Sequence, residues 1–267
     1  MCSSDLDLKQ EEGRALFKRL VRDFDVLVEN FTPGTMDGLG LGYAELSKEH
    51  PGLIYCAISG YGQTGPMRLK PALDVVIQGA GGILSVTGEP GGVPVKPGTS
   101  LGDITAGLYG AVGVLAALRE RERSGLGQLV DISMLDCQVA IMENAFVRYQ
   151  ISGQPPQPMG TRHPWAVPFQ AFPTQDGWIV IALAWGVPNQ WGLMCSELER
   201  PELIDDPRFA TANARSANHA ELEPLLNEAF RQRRTMEWVE RLDRFGIPCG
   251  PLNSIPEVMA QIGRAHV

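Results

Sequence analysis

The residue in this chain with the most chemical promise is Asp103. It stands in LGDITAG, where a Gly-rich stretch gives way to a long helical pattern over 101–125, and the spacing places it at the N-cap of that helix. A carboxylate there meets the positive end of the helix dipole and backbone N–H groups with no partner inside the helix, which favour its ionised, nucleophilic form. An ordinary cap of this kind contributes about 1 kcal/mol and needs no further role. The setting is less ordinary: Ala106, Gly107, Gly110, Gly113 and Ala117 give the helix a small-sided stripe, predicting that another backbone comes close. No GxxxxGK phosphate loop or HExxH pair is present. GLGLG at 38–42 follows a Pro–Gly turn rather than a strand, so it does not make a dinucleotide loop. His50, His163, His219 and His266 stand alone, and Cys2, Cys56, Cys137, Cys195 and Cys249 are scattered, which predicts neither a metal site nor a disulfide framework.

The elements that must position this carboxylate read as follows. Residues 10–23 carry Leu16, Phe17, Leu20 and Val21 at helical spacing, and 25–31 is a short buried strand running into Pro33–Gly34. A short helix over 43–50 stops at Pro51, and 53–59 is a second apolar strand. Helix–strand–helix–strand order with continuous apolar strands predicts a parallel sheet covered on both faces. Residues 60–102 read mostly as loop with one helix near 73–83. After the 101–125 helix come a strand at 127–134 and an amphipathic helix to about Gln150. Pro155, Pro156 and Pro158 mark a linker; beyond it lie a strand at 176–183 and helices at 189–198, 219–232 and 235–245.

Five motifs in this order resemble those of the family III CoA-transferases, the group that includes formyl-CoA and carnitine CoA-transferases and the α-methylacyl-CoA racemases. They are ENFTPG (29–34), KPALDVVIQGAGG (70–82), LGDITAG with AALRERERSGLGQLVDISMLD (101–136), DDPRF (205–209) and GIPCGP (246–251), and the similarity runs from about Asp7 to Gln261. The resemblance implies that Asp103 is the nucleophile, attacking an acyl-CoA thioester to form a mixed anhydride and then an aspartyl-CoA thioester that an acceptor carboxylate resolves. It further implies CoA contacts at Lys9, at Asn30, Phe31 and Thr32, and at Ala72 and Leu73. Coenzyme A enters as part of the substrate, with no metal. Family members often carry Arg near the position of Gly38, so the resemblance implies that one phosphate contact is absent here. The racemase branch uses a His where this chain has Leu73 before Asp74, and Leu73 exchanges no proton, which favours transfer over racemisation. Trp165, Phe169 and Trp185 are candidates for the border of the acyl site.

The expected fold class is α/β: an incomplete Rossmann-like large domain with a parallel sheet over 7–152, a linker over 153–165, and a smaller α/β domain over 166–261. MCSSDL and IGRAHV at the two ends resemble translated sequencing adapter, so residues 1–6 and 262–267 are expected to be non-native and the chain an internal fragment; an inactive CoA-binding fragment is the alternative reading for it. Lys plus Arg number 23 against 31 Asp plus Glu, a net charge of −8 that argues against a nucleic-acid or anionic-membrane partner. No apolar run is read as a membrane span, and the expected partners are acyl-CoA, small carboxylic acids and, from the resemblance, a second copy in an interlocked homodimer. The scattered cysteines and acidic composition lead to an expected cytoplasmic location.

Overall fold

The computed structural model describes residues 6–183 and 189–261. The chain divides between Pro158 and Met159 into two compact units. The first contains α1 (Glu11–Val21), β1 (Val26–Glu29), α2 (Thr35–Gly38), α3 (Tyr43–Glu49), β2 (Ile54–Ser59), α4 (Asp74–Ala80), α5 (Ile83–Val86), α6 (Leu101–Ser124), β3 (Leu129–Ser133), α7 (Met134–Ala140) and α8 (Glu143–Ser152). The second contains β4 (Phe169–Pro173), β5 (Trp178–Ala182), α9 (Gln190–Glu197), α10 (Ala212–Ala217), α11 (His219–Phe230), α12 (Thr235–Asp243), β6 (Cys249–Pro251) and α13 (Ile255–Gln261). The fold is thus mixed α/β, as expected.

In the first unit β1, β2 and β3 form a parallel sheet with β2 in the centre, paired Val26↔Ile54 on one side and Tyr55↔Leu129 on the other. Side chains alternate across a strand, so the apolar run of β2 feeds two cores. Leu53, Tyr55 and Ala57 pack with Val21, Met36, Leu41 and Leu46. Cys56 points the other way, to Ala106, Ile132 and Cys137. The small stripe of α6 faces this second core. A Cβ on Gly113 would lie 2.7 Å from Val130 Cγ1, and one on Gly110 would lie 3.5 Å from Ile58 Cδ1. The close approach that the stripe permits is therefore to sheet side chains rather than to another backbone. Gly125, at φ 74, ends α6 in the left-handed conformation that glycine adopts freely.

Three expectations change. The helix expected from 134 to about 150 is two helices: Met142 leaves helical geometry (φ −104, ψ 22), and its methyl group comes within van der Waals reach of Gly82. The segment 60–102 holds α5 as well as α4. By length and composition α6 is apolar enough to cross a bilayer, because Gly and Ala count as apolar and Asp103 is its one early charge; in this fold one face of it lies on a sheet. Its other face exposes Leu108, Val112 and Leu115.

The second unit pairs β4–β5–β6 antiparallel. Phe172, Ile179 and Ile181 pack there on Phe230, Trp238 and Leu242 from α11 and α12. Arg215 is buried; it donates to the carbonyls of Val167 (2.7 Å) and Phe209 (2.9 Å) and lies over the Trp191 ring.

Gly113→Leu forces a branched side chain into Val130, and overpacking of this kind costs roughly 1–3 kcal/mol. The expected result is a lowered urea midpoint; an unchanged midpoint would show that α6 does not lie this close to β3.

Candidate active site

A cleft of about 770 Å³ opens beyond the carboxyl ends of the parallel strands. In open α/β sheets this is where loops diverge and ligands bind. Asn30, Phe31 and Thr32 enter it from the turn after β1, Ser59 and Gly60 from the end of β2, and Met134 from the end of β3. Ala72, Leu73 and Asp74 form a second wall, and Lys96, Asp103, Ala106 and Gly107 form a third. Gly60 allows the first two walls to meet: a Cβ there would stand 2.2 Å from that of Ala72.

Six of the seven expected site residues therefore line one cleft: Asn30, Phe31, Thr32, Ala72, Leu73 and Asp103. Lys9 is not among the lining residues; it sits in the turn before α1, where its carbonyl accepts from Arg14 at 2.8 Å. Leu73 is 74% exposed and Phe31 48%, so both present apolar surface to the opening. Trp165 and Phe169 belong to the second unit and are partly exposed, whereas Trp185 lies outside the described residues.

The placement of Asp103 at the N-cap does not hold. The N-cap of α6 is Ser100, whose side chain makes no capping bond, and Asp103 is the third helical residue. The capping carboxylate comes from elsewhere in the chain: Asp74 Oδ1 accepts from Gly102 N at 2.9 Å, and Asp74 also accepts from the N–H of Asp103. Asp74 Oδ2 accepts from Gln78 Nε2 at 2.7 Å, and the same amide reaches Thr99 O at 3.3 Å. Lys96 Nζ stands 3.6 Å from Asp74. Burial alone would raise the Asp74 pKa, but the bonds from Gln78, Gly102 and Asp103 and the charge of Lys96 outweigh it and hold the carboxyl below the usual aspartate value. The orphan N–H groups of α6 are thus served by Asp74. The Asp103 carboxylate, exposed on the cleft wall, makes no hydrogen bond or ion pair among the described residues.

Sequence reasoning passed over Asp74 as a cap, along with Lys96 and Ser59. Ser59 is buried, and its hydroxyl has no partner among the described residues although the residue lines the cleft. Gly98–Gly102 also spells G-x-S-x-G. A nucleophile elbow needs a strand leading into the serine, however, and no strand precedes Ser100 here.

The chain is thus an α/β protein with a parallel sheet and, beside the ends of its strands, a cleft that carries an unengaged carboxylate at a helix start. Comparison with known proteins makes this specific: the sequence model described as CoA-transferase family III matches residues 2–265, and the chain belongs to that family. It is 40% identical to the acetyl-CoA:oxalate CoA-transferase of Acetobacter aceti over 94% of this chain and 64% of that protein. It is 36% identical to the succinyl-CoA:glutarate CoA-transferase of Mus musculus over 98% of this chain and 59% of that protein. The crystal structure of a CAIB/BAIF family protein from Brucella suis superposes with a TM-score of 0.85 at 41% identity, covering 95% of this chain and 67% of that one. The chain spans about three-fifths of the length of these curated relatives.

Asp74→Asn keeps the shape but turns an amide donor toward Gln78 and Lys96, and loss of such charged bonds costs roughly 1–3 kcal/mol. Because folding lowers the Asp74 pKa, its contribution is complete above the unfolded aspartate value of about 3.9 and is lost as pH falls through the lower folded value. Urea unfolding as a function of pH is expected to show the wild type losing stability below about pH 4 and a shallower loss in Asp74→Asn. Parallel curves would contradict the role given to this carboxylate.

Proposed function

We infer that the protein of which this chain is part transfers coenzyme A from an acyl-CoA thioester to a carboxylic acid, with Asp103 as the covalent nucleophile. The observation that carries this reading is the Asp103 carboxylate, unengaged by its own helix and lying on the wall of the cleft that also holds Asn30–Thr32 and Ala72–Leu73. Family membership and the names of the relatives support the overall reaction.

The chemistry balances as follows. An Asp103 oxygen attacks the thioester carbonyl, the C–S bond breaks, and a mixed anhydride forms with CoA thiolate as leaving group. The thiolate attacks the Asp103 carbonyl carbon, giving an aspartyl-CoA thioester and releasing the first acid as its carboxylate. An acceptor carboxylate attacks that thioester and regenerates thiolate and a second anhydride. Thiolate attack on the acceptor acyl carbon then forms the product and frees Asp103. No proton needs to move in any of these steps. Covalent catalysis divides one exchange between two acids into acyl steps of similar difficulty.

In this reading Asn30, Phe31, Thr32, Ala72 and Leu73 hold CoA at the strand ends, and a racemase alternative lacks its second base at Leu73. A second copy of the chain is part of the same reading, supported by the apolar face that α6 leaves exposed at Leu108, Val112 and Leu115.

In the protein expressed from its complete reading frame, Asp103→Asn is expected to reduce transfer roughly 10³-fold or more. Hydroxylamine added during turnover is expected to convert Asp103 to its hydroxamate, read by mass spectrometry of the tryptic peptide. Trapping at another carboxylate would overturn the assignment.

A further inference from the structure

Within the second unit, Arg215 of α10 is only 8% exposed. Its Nε–H donates to the Val167 carbonyl at 2.7 Å and Nη1 donates to that of Phe209 at 2.9 Å. The guanidinium carbon stands 4.5 Å from the centre of the Trp191 ring. A guanidinium has five N–H donors, so three are left over, including both on Nη2. No carboxylate among the described residues forms an ion pair with Arg215. Cys195 is the titratable neighbour whose charge would act on it, but burial pushes that thiol up to about 12 against the pull of Arg215, so it is neutral at pH 7. Burial also lowers the Arg215 pKa, yet a guanidinium stays charged in proteins.

This cation opens on a cavity of about 410 Å³. Leu183, Trp191 and Ile204 contribute apolar wall, and Asn189, Gln190 and Asp205 are its other polar lining residues. None of these residues lines the Asp103 cleft. The uncommitted Nη2 is not among the buried polar atoms sealed without a partner, so it reaches the accessible surface, and the cavity is the space that Arg215 lines. A buried charge with no opposite charge beside it is costly. Two carbonyls and the face of an indole offset part of that cost, and an anion in the cavity would offset the rest.

We propose that the second unit binds a small oxyanion in this cavity, a carboxylate or phosphate group held by the free N–H donors of Arg215. The planar fork matches two oxygens of one such group, a match that a spherical halide does not make. The apolar wall beside the guanidinium suits the remainder of an organic molecule carrying that group. Asp205 is exposed on the same cavity, and its carboxylate makes no hydrogen bond or ion pair among the described residues, so its charge works against the anion. The proposal does not depend on the CoA-transfer reading, because it uses no residue of the Asp103 cleft.

The test is titration of the protein expressed from its complete reading frame with inorganic phosphate, with acetate and with chloride at constant ionic strength. It is read on the Nε–H magnetic resonance signal of Arg215, which the bond to Val167 shields from exchange. Phosphate or acetate is expected to shift that signal saturably, with a midpoint about tenfold or more below that of chloride. Whichever oxyanion has the lower midpoint identifies the group that the cavity takes. Asp205→Asn, at an exposed position, is expected to tighten oxyanion binding about twofold or more by removing a like charge. Arg215→Lys keeps the charge without the fork. It is expected to lose the extra rise in thermal midpoint that phosphate or acetate gives over chloride; if it does not fold, the wild-type signal and Asp205→Asn decide the matter. Three results would each overturn the proposal: chloride acting as well as both oxyanions, no saturable shift with either oxyanion, or an affinity that Asp205→Asn leaves unchanged or lowers. An oxyanion preference that survives in Arg215→Lys would overturn it as well.

Discussion

The arrangement of the cleft depends on which carboxylate satisfies the first N–H groups of α6. Every helix begins with donors that need partners, and the acid nearest in sequence, Asp103, has the chemistry to bend back and serve them. Asp74 serves them instead, from the start of α4, and in accepting from Gly102, 28 residues further along the chain, and from Asp103 it joins α4 to α6. Gln78 extends the tie to Thr99, so the loop before α6 is held by the same cluster. The result is a difference between two aspartates at one helix start: one bonded and enclosed, the other left exposed on the cleft wall.

The sheet beneath gives α6 its seat. β2 is buried on both faces, and α6 lies on its Cys56 side, where a side chain at Gly113 would collide with Val130. That seat sets the course of the helix whose first turn carries Asp103. Gly60 acts in the same way at the rim, where its missing Cβ lets the Ala72 turn seat against the end of β2.

Much of this was legible in the sequence wherever the signal was local. The apolar runs of β1 and β2 and the long α6 ending at Gly125 follow from periodicity and turn residues. The residues that the family resemblance pointed to at 30–32 and 72–73 do converge with Asp103, because parallel strands deliver their following loops to one end of the sheet. What sequence did not disclose is non-local. The bond from Asp74 to α6 crosses a Gly- and Pro-rich stretch with no periodicity, and Ser100 has the residue type of a cap without acting as one. Lys96 reads as an ordinary solvated charge until its loop is seen to run into the helix. The break at Met142 carries no Gly or Pro to mark it, β4 has Gln170 within its apolar residues and prolines on either side, and β6 is only three residues, Cys-Gly-Pro.

The cleft wall is assembled from six stretches of chain that are far apart in sequence and meet beside the strand ends. Two of the lining residues also hold the fold, Asp74 by accepting from the start of α6 and Gly60 by admitting the Ala72 turn, so a change at either would reshape the cleft and disturb the packing together.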